Sequence, residues 1–325
     1  MKMTFINVGY GEAILLEWEK TAGLPEGFTV LIDGGSGEEQ EYQDRSSGRI
    51  PVWEYIKQQK ISQIDLMIST HIHEDHISGL VKAAQILPPK VLWQSLPPEF
   101  FGEMHSLDGF LVKTASQSKF KRALDDYRKL CILTRERGGQ IRKLQAGQSL
   151  PLGPDAFAHV LAPTKEGAKT LTHSMKELYA LDSGEAFLEK LTALDGQMNN
   201  YSLILMVECR GKRILLPGDT NREGYGHIPC NDLKADLFKV GHHGQRDGAD
   251  RELLHIVGPE AVVCCASSDR RYDSAHPQLI SLMEREGISR YFSDCPKLPK
   301  MQIVPHQRLV FQIEEGYELT GRYEL

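Results

Sequence analysis

At 325 residues, 41% hydrophobic and 25% charged, the chain has the composition of an ordinary soluble globular protein, large enough for one big α/β domain or two smaller ones. A formal net charge of −6 disfavours tight non-specific binding of nucleic acid through the whole surface, although it leaves room for a local positive site. No run of about 18 apolar residues is present, which argues against a membrane-spanning helix.

The N-terminal segment Met1–Val8 is too short in its apolar part for a secretory signal and reads as a first strand. Gly9-Tyr10-Gly11 then permits a hairpin reversal into a second strand, Ala13–Trp18. A third strand, Phe28–Ile32, ends in Asp33-Gly34-Gly35, and the polar, Gly/Ser-rich positions 36–50 read as a flexible surface loop. A helix over Val52–Gln59 leads to the apolar run Ile64–Ser69, short and β-rich enough to be a buried strand. Gly79–Gln85 reads as a helix and Val91–Trp93 as a short strand.

Positions 117–137 carry helical spacing (Phe120, Leu124, Tyr127, Leu130, Leu133), and their interleaved Lys119, Lys121, Arg122, Arg128 and Lys129 offer a basic face for phosphate or a plain solvated one. Phe157–Leu161 is a strand candidate, and 174–195 holds one or two helices. From 201 strands return: Ser202–Glu208, Arg213–Leu216, Leu237–Val240 and Ala261–Ala266, then a helix at 279–286 and closing strands at 290–292, 309–313 and 317–323. The six cysteines include no CxxC pair, and Cys264-Cys265 lies in a strand-like run, as expected for reduced thiols in a cytoplasmic protein.

Chemistry concentrates just past the strand ends. Thr70-His-Ile-His-Glu-Asp-His76 packs three imidazoles and two carboxylates into seven residues, ligands suited to zinc or a similar divalent ion. In an extended segment alternate residues share a face, so His71 and His73 can reach one ion together, while Asp75 and His76, at the following turn, can serve a second. Asp219 follows Pro217-Gly218, His242-His243 sits between glycines, and His276 precedes Pro277.

The order Asp-Gly-Gly, His-x-His-x-Asp-His, Gly-Asp and a final His resembles the metallo-β-lactamase superfamily. Within it the chain resembles the soluble hydrolase domain of ComEC-type DNA-uptake proteins, through Phe5–Ala13, Leu31–Gly35, Asn199–Leu203, Leu216–Asp219, Lys239–Gly244 and His276-Pro277. The resemblance implies one α/β domain over 1–325, a four-layer αββα sandwich, with helical insertions at about 95–145 and 164–198. It implies two divalent ions, zinc first and manganese as the alternative. His71 and His73 would hold one ion; Asp75, His76 and His242 the other; Asp219 would lie between them. Two such ions lower the pKa of a shared water and polarise a phosphoryl or carbonyl oxygen. Asp75 belongs to that machinery, His243 or His276 would steady charge or protonate the leaving group, and Asp33 would orient a ligand histidine from behind.

The chain departs from this pattern at three places. Many members supply a third histidine to the first ion, where the ComEC-like branch has Asn-Asn-x-Ser. Asn200 or Ser202 would fill that place or meet substrate, with His159 and His173 as remoter candidates. Tyr10 stands in place of a glutamine, and Gln245 in place of a serine. The large membrane channel region of ComEC proteins has no counterpart here, so transport is not expected. The expected activity is hydrolysis of a phosphodiester, in nucleic acid or a smaller phosphate ester, in the cytoplasm and without membrane association. Alternatives are an acyl-ester, lactone or thioester hydrolase, or a non-catalytic metal-stabilised binding module. A redox di-iron protein is disfavoured because His73 occupies the position where those carry glutamate.

Overall fold

Alternation along the strands builds the molecule, described here from a computed structural model covering residues 1–299 and 301–325. In Lys2–Ile6 (β1), Ile14–Trp18 (β2), Phe28–Ile32 (β3) and Leu66–Ile68 (β4), successive side chains point to opposite faces, and both faces are buried. That is why these segments read as nearly continuous apolar runs. Between them lie Val52–Gln58 (α1) and, after β4, Glu74–Ile86 (α2), followed by Val91–Gln94 (β5), Ala115–Glu136 (α3) and Gln140–Lys143 (β6). The remaining elements are Ser149–Gly153 (β7), Ala156–Ala162 (β8), Lys165–Tyr179 (α4), Glu185–Asp195 (α5), Ile204–Cys209 (β9), Lys212–Leu216 (β10), Cys230–Leu233 (α6), Leu237–Lys239 (β11), Arg251–Val257 (α7), Ala261–Cys264 (β12), Pro277–Arg285 (α8), Ser289–Phe292 (β13), Arg308–Gln312 (β14) and Gly321–Glu324 (β15).

Two mixed sheets result, ordered β15-β14-β1-β2-β3-β4-β5-β6 and β13-β12-β11-β10-β9-β8-β7. Their facing sides share one apolar core, in which Phe5, Leu16, Ile32 and Ile68 meet Leu205, Ile214 and Val263. Leu31 and Met67 point the other way, into a layer holding Tyr55, Leu80, Leu124, Leu171 and Leu191 of α1–α5. Met206, Leu215 and Phe238 of the second sheet do likewise against Leu253 of α7 and Met283 of α8. The expected four-layer αββα sandwich is therefore the architecture. Among the described residues no helix is long and apolar enough to cross a membrane.

Several local expectations change. Helix α2 begins at Glu74, so Asp75 and His76 sit in its first turn, not on a loop ahead of a helix at 79–85; acidic side chains suit that position beside the exposed N–H groups of a helix start. Residues 36–50 are not a loose loop. Tyr42 and Ile50 enter the core, and the buried Arg49 guanidinium pairs with Glu41 at 2.9 Å and Asp294 at 2.9 Å. The 95–145 segment is not wholly helical, because β6 pairs in parallel with β5. Of the basic face on α3, Lys121 donates to the Asp108 and Phe110 carbonyls, Arg122 pairs with Glu38 at 2.8 Å and Arg128 donates to the Met104 carbonyl; Lys129 is exposed, and Lys119 faces a cavity.

Close contact between α2 and the loop after β3 explains Gly34-Gly35. Gly79 N donates to the Gly35 carbonyl at 2.9 Å and Gly34 N to the His76 carbonyl at 2.8 Å, and a Cβ on either Gly34 or Gly79 would collide with the opposing backbone.

Candidate metal centre

β3 and β4 run in parallel, as do β10 and β11, so the C-terminal ends of each pair open onto one edge of the sandwich. Asp33 follows β3, residues 69–73 follow β4, Asp219 follows β10 and His243 follows β11. Sheet edges of this kind place polar side chains on short loops anchored by rigid strands.

Four imidazoles meet here, and each has one ring nitrogen held from outside. Thr70 Oγ1 donates to Asp33 Oδ2 at 2.6 Å, which leaves its oxygen to accept from His71 Nδ1 at 3.0 Å. His73 Nε2 donates to Asp195 Oδ1 at 3.2 Å, His76 Nδ1 to Asp33 Oδ2 at 2.7 Å, and His243 Nδ1 to the Cys265 carbonyl at 2.8 Å. The other nitrogens, His71 Nε2, His73 Nδ1, His76 Nε2 and His243 Nε2, face inward with lone pairs to offer, the arrangement in which outer partners fix a ligand's tautomer. Asp219 Oδ2 lies 2.8 Å from His243 Nε2 and 3.2 Å from His76 Nε2, and Asp75 Oδ2 is 3.1 Å from His243 Nε2. His71 Nε2 and His73 Nδ1 stand 3.1 Å apart.

Ligand atoms of Asp75, His76, Asp219 and His243 all fall within 4.8 Å of one another, and so do those of Asp33, His71 and His76. Asp33 is better placed as a support than a ligand, since both its oxygens are engaged by Thr70 and His76.

Electrostatics match this geometry. Burial, reinforced by the neighbouring His76 and His73, holds the His71 imidazolium well below its usual range. Burial would depress His76 and His243 too, but the carboxylates of Asp219, Asp33 and Asp75 raise His76 well above its ordinary value, and Asp219 and Asp75 push His243 up to about 9. Burial works against Asp75 and Asp219 as anions, yet their histidine partners keep both below the usual carboxylate range. The cluster thus demands positive charge at its centre. Imidazole nitrogens with carboxylate oxygens form a donor set that fits a borderline divalent cation such as zinc, which would take the place of those protons.

Adjacent histidines exchange their expected positions. His242 and His243 both adopt left-handed conformations, with φ of 48° and 51°, and the turn swings His243 into the cluster. His242, expected as a ligand, faces the cavity with its Nδ1 held by Asp247 at 2.9 Å, whereas His243, expected near the leaving group, is fully buried. His276 does not join them. Its Nδ1 accepts from Gln278 N at 3.3 Å and caps α8. Ser202 is fully buried, and its Oγ accepts from the backbone Asp219 N at 3.2 Å, which anchors the turn that carries Asp219. Asn200 lies outside the cavity, which Asn199 lines. His159 and His173 are engaged elsewhere, with Glu208 and Glu177.

Three contributors escaped the sequence reading. Asp195, at the end of α5, holds His73 and is itself held by Ser116 Oγ at 2.6 Å. Behind Asp219, the buried Lys239 ammonium lies 3.3 Å from Asp219 Oδ1 and pairs closely with the buried Glu12. A lysine inside the apolar run Leu237–Val240 was the available signal for that pair.

Residues 8–135 match the family description of the metallo-β-lactamase superfamily. Over that stretch the chain is similar to that superfamily. It is 23% identical over 296 residues to ComE operon protein 3 of Bacillus subtilis (strain 168), a match that covers 88% of this chain and 31% of that protein. The chain thus spans about a third of the length of that relative. Among solved structures, the fold is similar to that of a metal-dependent hydrolase of the β-lactamase superfamily, at 11% identity and a TM-score of 0.45 over 96% of this chain and 100% of that one. It is also similar to the CmlA β-hydroxylase E377D mutant, at 11% identity and a TM-score of 0.47, covering 96% of this chain and 54% of that one.

Proposed function

We propose that this chain is a metallo-β-lactamase-superfamily hydrolase that holds two divalent cations, zinc first and manganese as the alternative, and cleaves a phosphodiester. His71 and His73 would hold one ion, Asp75, His76 and His243 the other, with Asp219 between them. Such a pair supplies Lewis acidity toward a phosphoryl oxygen and lowers the pKa of water nearby.

The observation that carries the choice of substrate is Lys119. A cavity of about 580 Å³ opens over the cluster and is lined by His73, Asp75, Asp219, His242 and Lys119. Its other basic residue, Arg271, is paired with Glu41 and Asp269, whereas Lys119 has no carboxylate partner among the described residues. An unneutralised ammonium beside an acidic cluster favours a substrate carrying negative charge over a neutral ester or lactone.

In hydrolysis the oxygen of water bonds to phosphorus, the bond from phosphorus to one ester oxygen breaks, and that oxygen departs with a proton. His242 suits the proton delivery: its ring faces the cavity, and Asp247 orients it through Nδ1. Lys119 would hold a non-bridging phosphate oxygen. The test is hydrolysis of bis-p-nitrophenyl phosphate beside p-nitrophenyl acetate. The expected result is cleavage of the phosphodiester, abolished by chelation and by His73→Ala. Turnover of the acetate with the phosphodiester inert would reject the reading.

A further inference from the structure

The cavity's far wall is aromatic and bears on which phosphodiester fits. Tyr10 lies against the buried His243 ring at 4.5 Å between centroids, and Tyr272 meets Tyr10 edge-on at 5.0 Å. Tyr10 and Gln245, the two positions where the sequence departs from the ComEC-like pattern beside the motifs, touch each other, with Gln245 Nε2 donating to Tyr10 Oη at 3.4 Å. Tyr272 remains 58% exposed although it lines the cavity.

Its backbone is held in an unusual shape. Arg270, Tyr272, Asp273 and Ala275 all have φ between 46° and 61°, a left-handed region that non-glycine residues rarely occupy. The segment is tied to the metal-centre turn itself, with Ala275 N donating to the His243 carbonyl at 3.1 Å and His276 N to the Gly244 carbonyl at 2.8 Å. Across the opening, the Lys119 ammonium of α3 stands 6.0 Å from the Tyr272 ring centre. The strap of residues 270–275 and the helical wall therefore approach each other at one end of the cavity.

We propose that Tyr272 is a stacking platform, and that the substrate is a nucleotide-sized phosphodiester whose aromatic ring lies on it while Lys119 holds the phosphate. Resting on the hydrolase reading above, the proposal adds that the site takes the end of a molecule and not the middle of a strand. A polymer bound at an internal phosphate must leave the cavity on both sides, and the Lys119–Tyr272 approach narrows one of them. Aromatic side chains beside a cation serve a base and its phosphate together.

Three substrates test this on the metal-loaded protein: thymidine 5′-(p-nitrophenyl phosphate), methyl p-nitrophenyl phosphate, and circular single-stranded DNA, which has no ends. The expected kcat/KM ratio of thymidine to methyl ester is about tenfold or more, falling to near one in Tyr272→Ala and retained in Tyr272→Phe, with circular DNA uncut. A ratio unchanged in Tyr272→Ala, or circular DNA cut as fast as the thymidine ester, overturns the proposal. Calorimetric binding of thymidine 5′-monophosphate reads the same contact without turnover. Binding that weakens about tenfold in Tyr272→Ala, with every diester inert, keeps the platform and rejects the hydrolase reading. Equal hydrolysis of both esters without nucleotide binding does the reverse.

Discussion

His242 and His243 are neighbours of identical chemistry, yet a left-handed turn gives one to the cavity and buries the other among carboxylates. Their substitutions should separate accordingly. His243→Ala is expected to lose bound metal and to cut activity about a thousandfold or more, since a ligand is removed. His242→Ala should keep its metal and lose about a hundredfold with alkoxide leaving groups, but far less with p-nitrophenolate, which departs without a proton. Elemental analysis beside a leaving-group series distinguishes the two. The raised value of His243, about 9, also fixes a pH signature. In the metal-free protein, His243 is protonated in both folded and unfolded chains below about pH 6.5, and its ion pairs with Asp219 and Asp75 then contribute their full stabilisation. That contribution declines as pH rises through about 9, where the folded imidazolium is lost. Denaturation of the chelated protein across this window should show falling stability, while metal affinity, which needs the neutral ring, rises over the same range.

At the scale of elements, helices of the layer outside the first sheet reach into the metal centre. Asp195 of α5 holds the outer nitrogen of His73, and Ser116 of α3 holds Asp195. Asp195→Asn should weaken metal binding at the His71–His73 side about 10- to 100-fold in a competition titration against a chelating dye, with folding preserved. This partnership was illegible in the sequence, because 122 positions separate the two residues and neither lies in a pattern that points to the other. The helical stripe Phe120, Leu124, Tyr127, Leu130 was legible, since core packing enforces the 3.6-residue period. The helix α2 illustrates a different dependence. Gly79 meets the Gly34 backbone so closely that Gly79→Ala should cost about 3 kcal/mol in chemical denaturation, an overpacking that neither backbone can relieve alone.

Across the whole molecule, the fold was the most readable layer. Both sheets announce themselves through short apolar runs ended by turn residues, and the motif at 70–76 marks the edge where the site forms. What sequence could not separate was orientation at that edge: which of two adjacent histidines turns inward, or whether His276 serves substrate or a helix cap. Those outcomes depend on backbone dihedrals set by tertiary contacts. The buried Glu12–Lys239 pair likewise joins the two sheets across 227 positions behind Asp219. Lys239→Ala strands Glu12 without its cation, and a loss of about 3–5 kcal/mol is expected in urea unfolding, largely relieved when Glu12→Gln is added. The central claim is that residues from β4, α2, β10 and β11 converge to hold a pair of cations. Elemental analysis combined with anomalous diffraction from the metal-loaded protein tests it most directly. The prediction is two ions per chain, one touching His71 and His73, the other touching Asp75, His76 and His243, with Asp219 between them; ions bound elsewhere, or none with these side chains intact, would contradict it.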